Sequence, residues 1–204
     1  MTENIFVKAP PYGSISNWLG PIMVQRRLNF AQAQRDSFVP TGIGHAENAK
    51  VDVNIRRSSR VKDLGDLKKE VRAKVREVLP EMFRRLGTDV FDPGRLEVEM
   101  VAHGHGAFFT EHRDTAIEDQ KLVVRRVISA VYYFHRLPKS FSGGVLQIYP
   151  LAGREKSNNF IEIEPINDTL VFLPSWFPHE VLPVVCPSGE FEDSRFAINC
   201  WVYA

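Results

Sequence analysis

At 204 residues, with 44% apolar and 25% charged side chains, the chain is long enough to bury a real core and has an ordinary globular composition. A formal charge of +1 gives no whole-chain reason to expect nucleic acid, and no apolar run approaches the roughly 20 residues needed to span a bilayer. The start, Met1-Thr2-Glu3-Asn4, does not resemble a signal peptide, and two cysteines, Cys186 and Cys200, without a Cys-x-x-Cys are read as small buried hydrophobes of a reducing cytoplasm.

Taken in order, residues 1–20 carry Pro10, Pro11, Gly13 and Gly20 and are read as irregular, with one short strand at Ile5-Phe6-Val7. Residues 21–38 suit a helix opened by Pro21. Val51 to Ile55 alternates apolar and polar residues and predicts a strand. Arg56-Arg57-Ser58-Ser59-Arg60 follows, either a solvated loop or an entrance loop that meets substrate. The clearest helix is 64–86, where Leu64, Leu67, Val71, Val75, Val78, Met82 and Leu86 recur at helical steps. Asp63 is its expected N-cap, Gly87 its stop, and Pro80 is expected to kink or divide it.

After Asp92-Pro93-Gly94 the texture changes to short β-branched and aromatic runs separated by turn residues. Strands are expected at 95–103, 107–114, 123–135, 143–150, 160–165, 169–175, 179–186 and 194–203. Eight short strands are what a double-sheet jelly roll requires. The predicted fold is therefore α+β, mainly β: a double-stranded β-helix with the N-terminal helices packed outside one sheet. One domain over 1–204 is expected, with 1–92 as helical support and substrate region and 93–204 as catalytic core.

The chemistry starts at His112-Arg113-Asp114, joined 65 residues after Asp114 by His179. Residues at i and i+2 of a strand share a face, so His112 and Asp114 can enter one cavity, and His179 opens another strand. Two imidazoles and a carboxylate can occupy one face of iron(II) and leave the other positions open. A competing site built from His103, His105 and His112 would leave Asp114 and His179 unexplained. Arg195 is a charge in an otherwise apolar run, so it needs a partner. That partner is either Glu192 or Asp193, or a ligand carboxylate gripped bidentately. Asn199 and Trp201 share its strand parity. His103 and His105 either line the cavity or sit on its rim, His45 is assigned to a surface loop, and Arg125 and Arg126 to a solvated edge or basic rim.

From residue 95 onward the chain resembles the iron(II)- and 2-oxoglutarate-dependent oxygenases of the prolyl 4-hydroxylase-like group. The matching segments are 97–104, 109–115, Val131-Tyr132-Tyr133-Phe134-His135, 141–146, Pro178-His179-Glu180-Val181 and 195–201. The resemblance implies that His112, Asp114 and His179 hold iron(II). It implies that Arg195 and Tyr133 hold the distal carboxylate of 2-oxoglutarate; His103 falls where relatives often carry a tyrosine near the cosubstrate, and strand parity makes Asn199 a candidate polar group in the same pocket. A looser likeness of Arg56-Arg57-Ser58-Ser59 to an Arg-x-Ser loop of prolyl hydroxylases implies that Arg56 and Ser58 meet substrate, and Gly143-Gly144 matches the turn that begins the fourth core strand; His105 and Trp201 are candidate substrate residues by their position beside the ligand strand and by parity with Arg195. The implied activity is a dioxygenase hydroxylating an unactivated C–H bond of a prolyl or other amino-acid-type substrate, using Fe(2+), 2-oxoglutarate and O2, with ascorbate as a stimulant. Small-metabolite hydroxylation and a non-oxygenase metal-binding jelly roll are the competing readings. No nucleic acid or membrane partner is implied, and a homodimer is compatible.

Overall fold

A computed structural model of the chain describes residues 8–43, 50–115, 125–156 and 159–204. The expectations for Ile5–Val7 and His45, and for the first two residues of strand 123–135, lie outside the described residues. In chain order the early elements are β1 (Gly13–Ser16), α1 (Pro21–Ala33), β2 (Val39–Pro40), β3 (Arg56–Arg57), β4 (Ser59–Val61) and α2 (Asp66–Leu86). The later strands are β5 (Arg95–His103), β6 (Phe108–His112), β7 (Arg126–Phe134), β8 (Ser142–Gly143) and β9 (Leu146–Ile148). They continue with β10 (Ile161–Ile163), β11 (Thr169–Pro174), β12 (His179–Val181), β13 (Val184–Val185) and β14 (Arg195–Tyr203).

The architecture is mainly β with two helices. Seven strands form one sheet in the order β1-β11-β7-β14-β5-β4-β2, and five form a second in the order β10-β9-β12-β6-β3. A two-stranded ribbon, β13-β8, stands apart. Neither large sheet closes on itself among the described residues.

Alternation along the long strands sorts the core into two layers. Phe196, Ile198, Cys200 and Val202 of β14, with Leu96, Val98, Met100 and Ala102 of β5, face the helices and pack on Val71, Val75, Leu79, Met82 and Phe83 of α2. Each such burial contributes up to about 1.5–3 kcal/mol. The opposite face of the same sheet presents Val101, Tyr133, Val171, Leu173 and Ala197 to Leu146, Ile148 and Phe177. The site lies on that second face. Buried Arg27 links the helices, its Nη2 lying 2.7 Å from Glu70 Oε1.

Several expectations change. The first helix stops at Ala33 and passes through a 3-10 turn, Arg35–Ser37. Val51 to Ile55 is a turn: Asp52 Oδ1 accepts the Asn54 N–H at 2.9 Å, and the Asp52 carbonyl accepts those of Ile55 and Arg56. An Asx turn outcompetes the alternating pattern there. The basic run 56–60 is folded into β3 and β4 rather than left as a loop. Asp63 does not cap α2; its carboxylate accepts the Gly65 N–H at 3.1 Å in a preceding turn, and Gly65 is the N-cap. Gly87 ends the helix in the left-handed conformation as expected. Pro80 neither divides nor ends it: Pro80 is exposed, so the carbonyl its missing N–H would have met faces water. The expected strand 143–150 divides into β8 and β9, and 179–186 into β12 and β13, because Gly144 and Pro183 interrupt them.

Candidate active site

β6 and β12 are antiparallel neighbours with His112 and His179 directly opposed. Their ring centroids are 4.3 Å apart. Each ring is held by its Nδ1, which donates to a backbone carbonyl two residues earlier: His112 to Thr110 at 2.8 Å and His179 to Phe177 at 2.9 Å. A carbonyl can only accept, so these contacts put a proton on each Nδ1 and leave Nε2 as the nitrogen that faces the site, where that of His179 meets Asp114.

Asp114 arrives differently from the expectation. β6 ends at His112, and Asp114 lies in a bend whose N–H donates to the Ser175 carbonyl at 3.0 Å. Its Oδ2 accepts the Ser129 hydroxyl at 2.6 Å and lies 3.5 Å from His179 Nε2. Ser129 Oγ is in turn 2.9 Å from Ser175 Oγ. One donor atom from each of His112, Asp114 and His179 lies within 4.8 Å of the others, which is the spacing of a site that could hold a metal ion. The alternative set His103, His105 and His112 is not gathered in this way among the described residues.

Burial, then the neighbouring His179, push the His112 imidazole down to about 3, so it is neutral and able to ligate. Burial alone would raise the Asp114 carboxyl, but the hydrogen bond and charge of His179, with His112 and Ser129, hold it below the usual carboxylate range. Burial would lower His179, and Asp114 outweighs it and raises that imidazole.

Arg195 begins β14 and is 2% exposed. No carboxylate pairs with it among the described residues: Glu192 lies 4.0 Å from Arg35, and Asp193 lies 3.5 Å from Arg136. Its Nη1 is 3.3 Å from Nδ1 of His103, which burial, then Arg195 and Arg56, hold well below its ordinary pKa and therefore neutral. The guanidinium carbon lies 4.7 Å from the centre of the Tyr133 ring. Among the described residues neither Arg195 Nε nor the Tyr133 hydroxyl makes a well-formed hydrogen bond, although the two buried groups lie close enough to interact with each other. Gly144 makes room for this side chain, since a Cβ there would lie 2.5 Å from Arg195 Cδ.

The remaining expected residues are spread over both large sheets and the loop between β5 and β6. Arg56 is buried and stacks on Phe109 at 4.5 Å, and Phe109 stacks on His112 at 3.5 Å. Arg56 Nε donates to Ser58 Oγ at 3.1 Å. Trp201 is buried beneath Arg126, whose guanidinium carbon is 4.4 Å from its ring, and Asn199 is half-buried between Val131 and Glu99 in register. Arg126 is thus no solvated edge; it also donates to the Tyr203 hydroxyl at 2.8 Å. His105 is exposed and its Nδ1 accepts the Cys186 N–H at 3.2 Å. Both cysteines are free and buried.

Sequence reading missed Ser129, Ser175 and Glu99. Ser129 has the parity of Val131 and Tyr133 on β7, the one signal that could have placed it on this face. Glu99 is buried on β5 and pairs with Arg60 at 3.1 Å and Arg56 at 3.8 Å.

Set beside known proteins, the chain is 32% identical over 208 residues to an uncharacterized PKHD-type hydroxylase of Synechocystis sp.; the match covers 98% of this chain and spans 65% of that relative's length. In three dimensions it resembles a prolyl hydroxylase of Trichoplax adhaerens solved with a peptide fragment of the hypoxia inducible factor oxygen degradation domain. That likeness has a TM-score of 0.70 at 22% identity, over 95% of this chain and 84% of that one. A Pseudomonas putida prolyl-4-hydroxylase gives 0.65 at 18% identity, over 95% and 92%. The family model described as the 2OG-Fe(II) oxygenase superfamily matches residues 98–203, the stretch from β5 to β14 that carries His112, Asp114, His179 and Arg195, and the chain belongs to that superfamily.

Proposed function

We propose that the chain is an iron(II)- and 2-oxoglutarate-dependent dioxygenase that hydroxylates an unactivated C–H bond of a prolyl or other amino-acid-type substrate. The observation that carries this reading is the pairing of two features on the two sheets that pack together: a gathered His112, Asp114 and His179 set on the five-stranded side, and on the seven-stranded side a buried Arg195 that no carboxylate pairs with among the described residues, beside the Tyr133 ring. The donor set suits iron(II), and the orphaned polar atoms suit an anion. The substrate class leans on the resemblance to proteins named as prolyl hydroxylases.

In this reading His112, Asp114 and His179 hold the metal through His112 Nε2, His179 Nε2 and the Asp114 carboxylate. Bound iron(II), with 2-oxoglutarate and dioxygen, supplies the oxidising chemistry, releasing succinate and carbon dioxide and leaving one oxygen atom on the substrate. The protein's part is position, charge and dryness. Thr110 and Phe177 carbonyls aim the imidazoles, and Ser129 aims the carboxylate. Arg195 and Tyr133 take the distal carboxylate of 2-oxoglutarate, with His103 as the neutral acceptor that steadies the guanidinium and Asn199 lining the same face. Phe109, Phe177 and Trp201 limit water, while Arg56, Ser58 and His105 border the side from which substrate enters.

The fold in this reading is a double-stranded β-helix; what supports it is that the seven- and five-stranded sheets meet across an apolar layer of Val101, Tyr133, Leu146 and Phe177. Residues 1–204 act as one domain in this reading, the helices bracing the larger sheet from outside. None of the described helices is long and apolar enough to cross a membrane, and two free cysteines agree with a cytoplasmic setting.

Purified protein supplied with iron(II), 2-oxoglutarate and dioxygen tests the reading. Slow succinate release, accelerated by a productive prolyl peptide or free amino acid that gains one oxygen by mass, is the expected result. Absence of succinate under all these conditions would favour a metal-binding module without oxygenase activity.

A further inference from the structure

Both histidines of the site are flanked, on each side along the chain, by residues tied to a single short segment, 149–154. Ahead of His179, the Pro178 carbonyl accepts the Tyr149 N–H at 2.8 Å. Behind it, the Glu180 carboxylate accepts the Tyr149 hydroxyl and lies 3.3 Å from Arg154 Nη1. Ahead of His112, Glu111 Oε2 accepts the Arg154 N–H at 3.2 Å. Behind it, Arg113 Nη2 donates to the Leu151 carbonyl at 2.8 Å. Neighbours along a strand face opposite sides, so Glu111 and Glu180 lie on the side of the five-stranded sheet away from the imidazoles.

β12 pairs in regular register with β9 on its other edge, but the ladder that sets the two histidines against each other is irregular. Between β6 and β12 only His179–His112 and Val181–Phe109 pair, and the register shifts between them. A broken ladder sets spacing and tilt poorly, because the bulged strand can bend. The segment behind it has what the ladder lacks. Tyr149 and Glu180 are buried, at 2% and 6% exposure, and their hydrogen bond crosses directly behind His179. Gly153 brings the turn against Glu111, whose Oε1 would lie 3.0 Å from a Cβ at that position.

We propose that segment 149–154 is a clasp that fixes the separation and tilt of the His112 and His179 rings, with Glu180 and Arg154 as positioning residues for the metal. This rests on the reading that His112, Asp114 and His179 hold a metal ion. Neither residue touches that ion; each acts through the backbone of a ligand. Groups that orient metal ligands are typically worth about 10- to 100-fold in metal affinity, and a second-tier tie sits at the lower end.

Cobalt(II) titration of the full chain, read by visible absorbance alongside the melting temperature of the metal-free protein, tests it. Glu180→Ala should weaken cobalt binding by about tenfold and broaden or shift the ligand-field bands. Glu180→Gln, which can still accept from Tyr149, should recover most of the loss. Arg154→Ala removes a largely exposed side chain, 64% accessible, and should fold normally while weakening binding by about threefold. Combining it with Arg113→Ala should deepen the loss. Wild-type affinity and spectrum in the Arg154→Ala/Arg113→Ala protein would overturn the clasp, even if Glu180→Ala fails to fold. So would an Glu180→Ala protein that melts earlier yet binds cobalt as tightly as wild type. A wild-type chain that takes up no cobalt would instead sink the metal reading beneath it.

Discussion

The two ends of the site are built on opposite principles. At the histidine end the side chains are held in place: both Nδ1 atoms are bonded to carbonyls, Asp114 is held by Ser129 and by its own N–H, and the flanking residues are tied down behind. At the arginine end, a fully buried guanidinium has no carboxylate among the described residues, and Tyr133 Oη and Arg195 Nε make no well-formed hydrogen bond there. Buried polar atoms without partners are uncommon and costly, typically about 1–3 kcal/mol each. The contrast assigns different work to the two ends. In the proposed function the first fixes geometry before anything binds, and the second keeps charge in reserve for an anion that completes it.

Perturbations should separate the ends. His112→Ala removes a ligand outright and should abolish iron binding and activity, read by metal titration. Arg195→Ala should raise the 2-oxoglutarate requirement by at least about 30-fold, since losing one partner of a buried charge pair costs about 2–5 kcal/mol. Its iron affinity should stay at the wild-type value, and unchanged cosubstrate dependence would remove Arg195 from this role. Ser129→Ala should weaken metal binding by about tenfold by freeing Asp114, with little change in 2-oxoglutarate affinity measured at saturating metal. Tyr133→Phe is the mildest. Its hydroxyl makes no well-formed hydrogen bond among the described residues, so the ligand-free protein should keep its stability within about 1 kcal/mol, while 2-oxoglutarate binding weakens by about tenfold. A clear loss of stability on removing that hydroxyl would break the comparison between the two ends.

How much of this could be read beforehand depended on the range of the forces involved. β5 falls on the expected residues, and β14 within one residue of them, because both strands are long and alternate cleanly between helix-facing and site-facing residues. The α2 stripe was legible for the same reason, its buried residues recurring at three- and four-residue steps. Val51 to Ile55 misled because Asp52 bonds its own neighbours, a local choice that period-two patterning cannot see. Asp114 was placed with the right partners for an incomplete reason. It is not on the strand with His112; the Ser175 carbonyl and the Ser129 hydroxyl bring it in. Those two serines meet only because β11 pairs with β7, placing Leu173 opposite Ser129, a long-range register that no local pattern encodes. The clasp behind the histidines is hidden likewise, since Glu111, Arg113 and Glu180 read singly as surface charges.

The most direct test of the central claim is an anaerobic titration in two steps, iron(II) first and 2-oxoglutarate second, on wild-type, His179→Ala and Arg195→Ala proteins. The account predicts one iron per wild-type chain, none in His179→Ala, and in Arg195→Ala a full iron complement with 2-oxoglutarate binding severely weakened. Iron retained by His179→Ala, or wild-type 2-oxoglutarate affinity in Arg195→Ala, would contradict it.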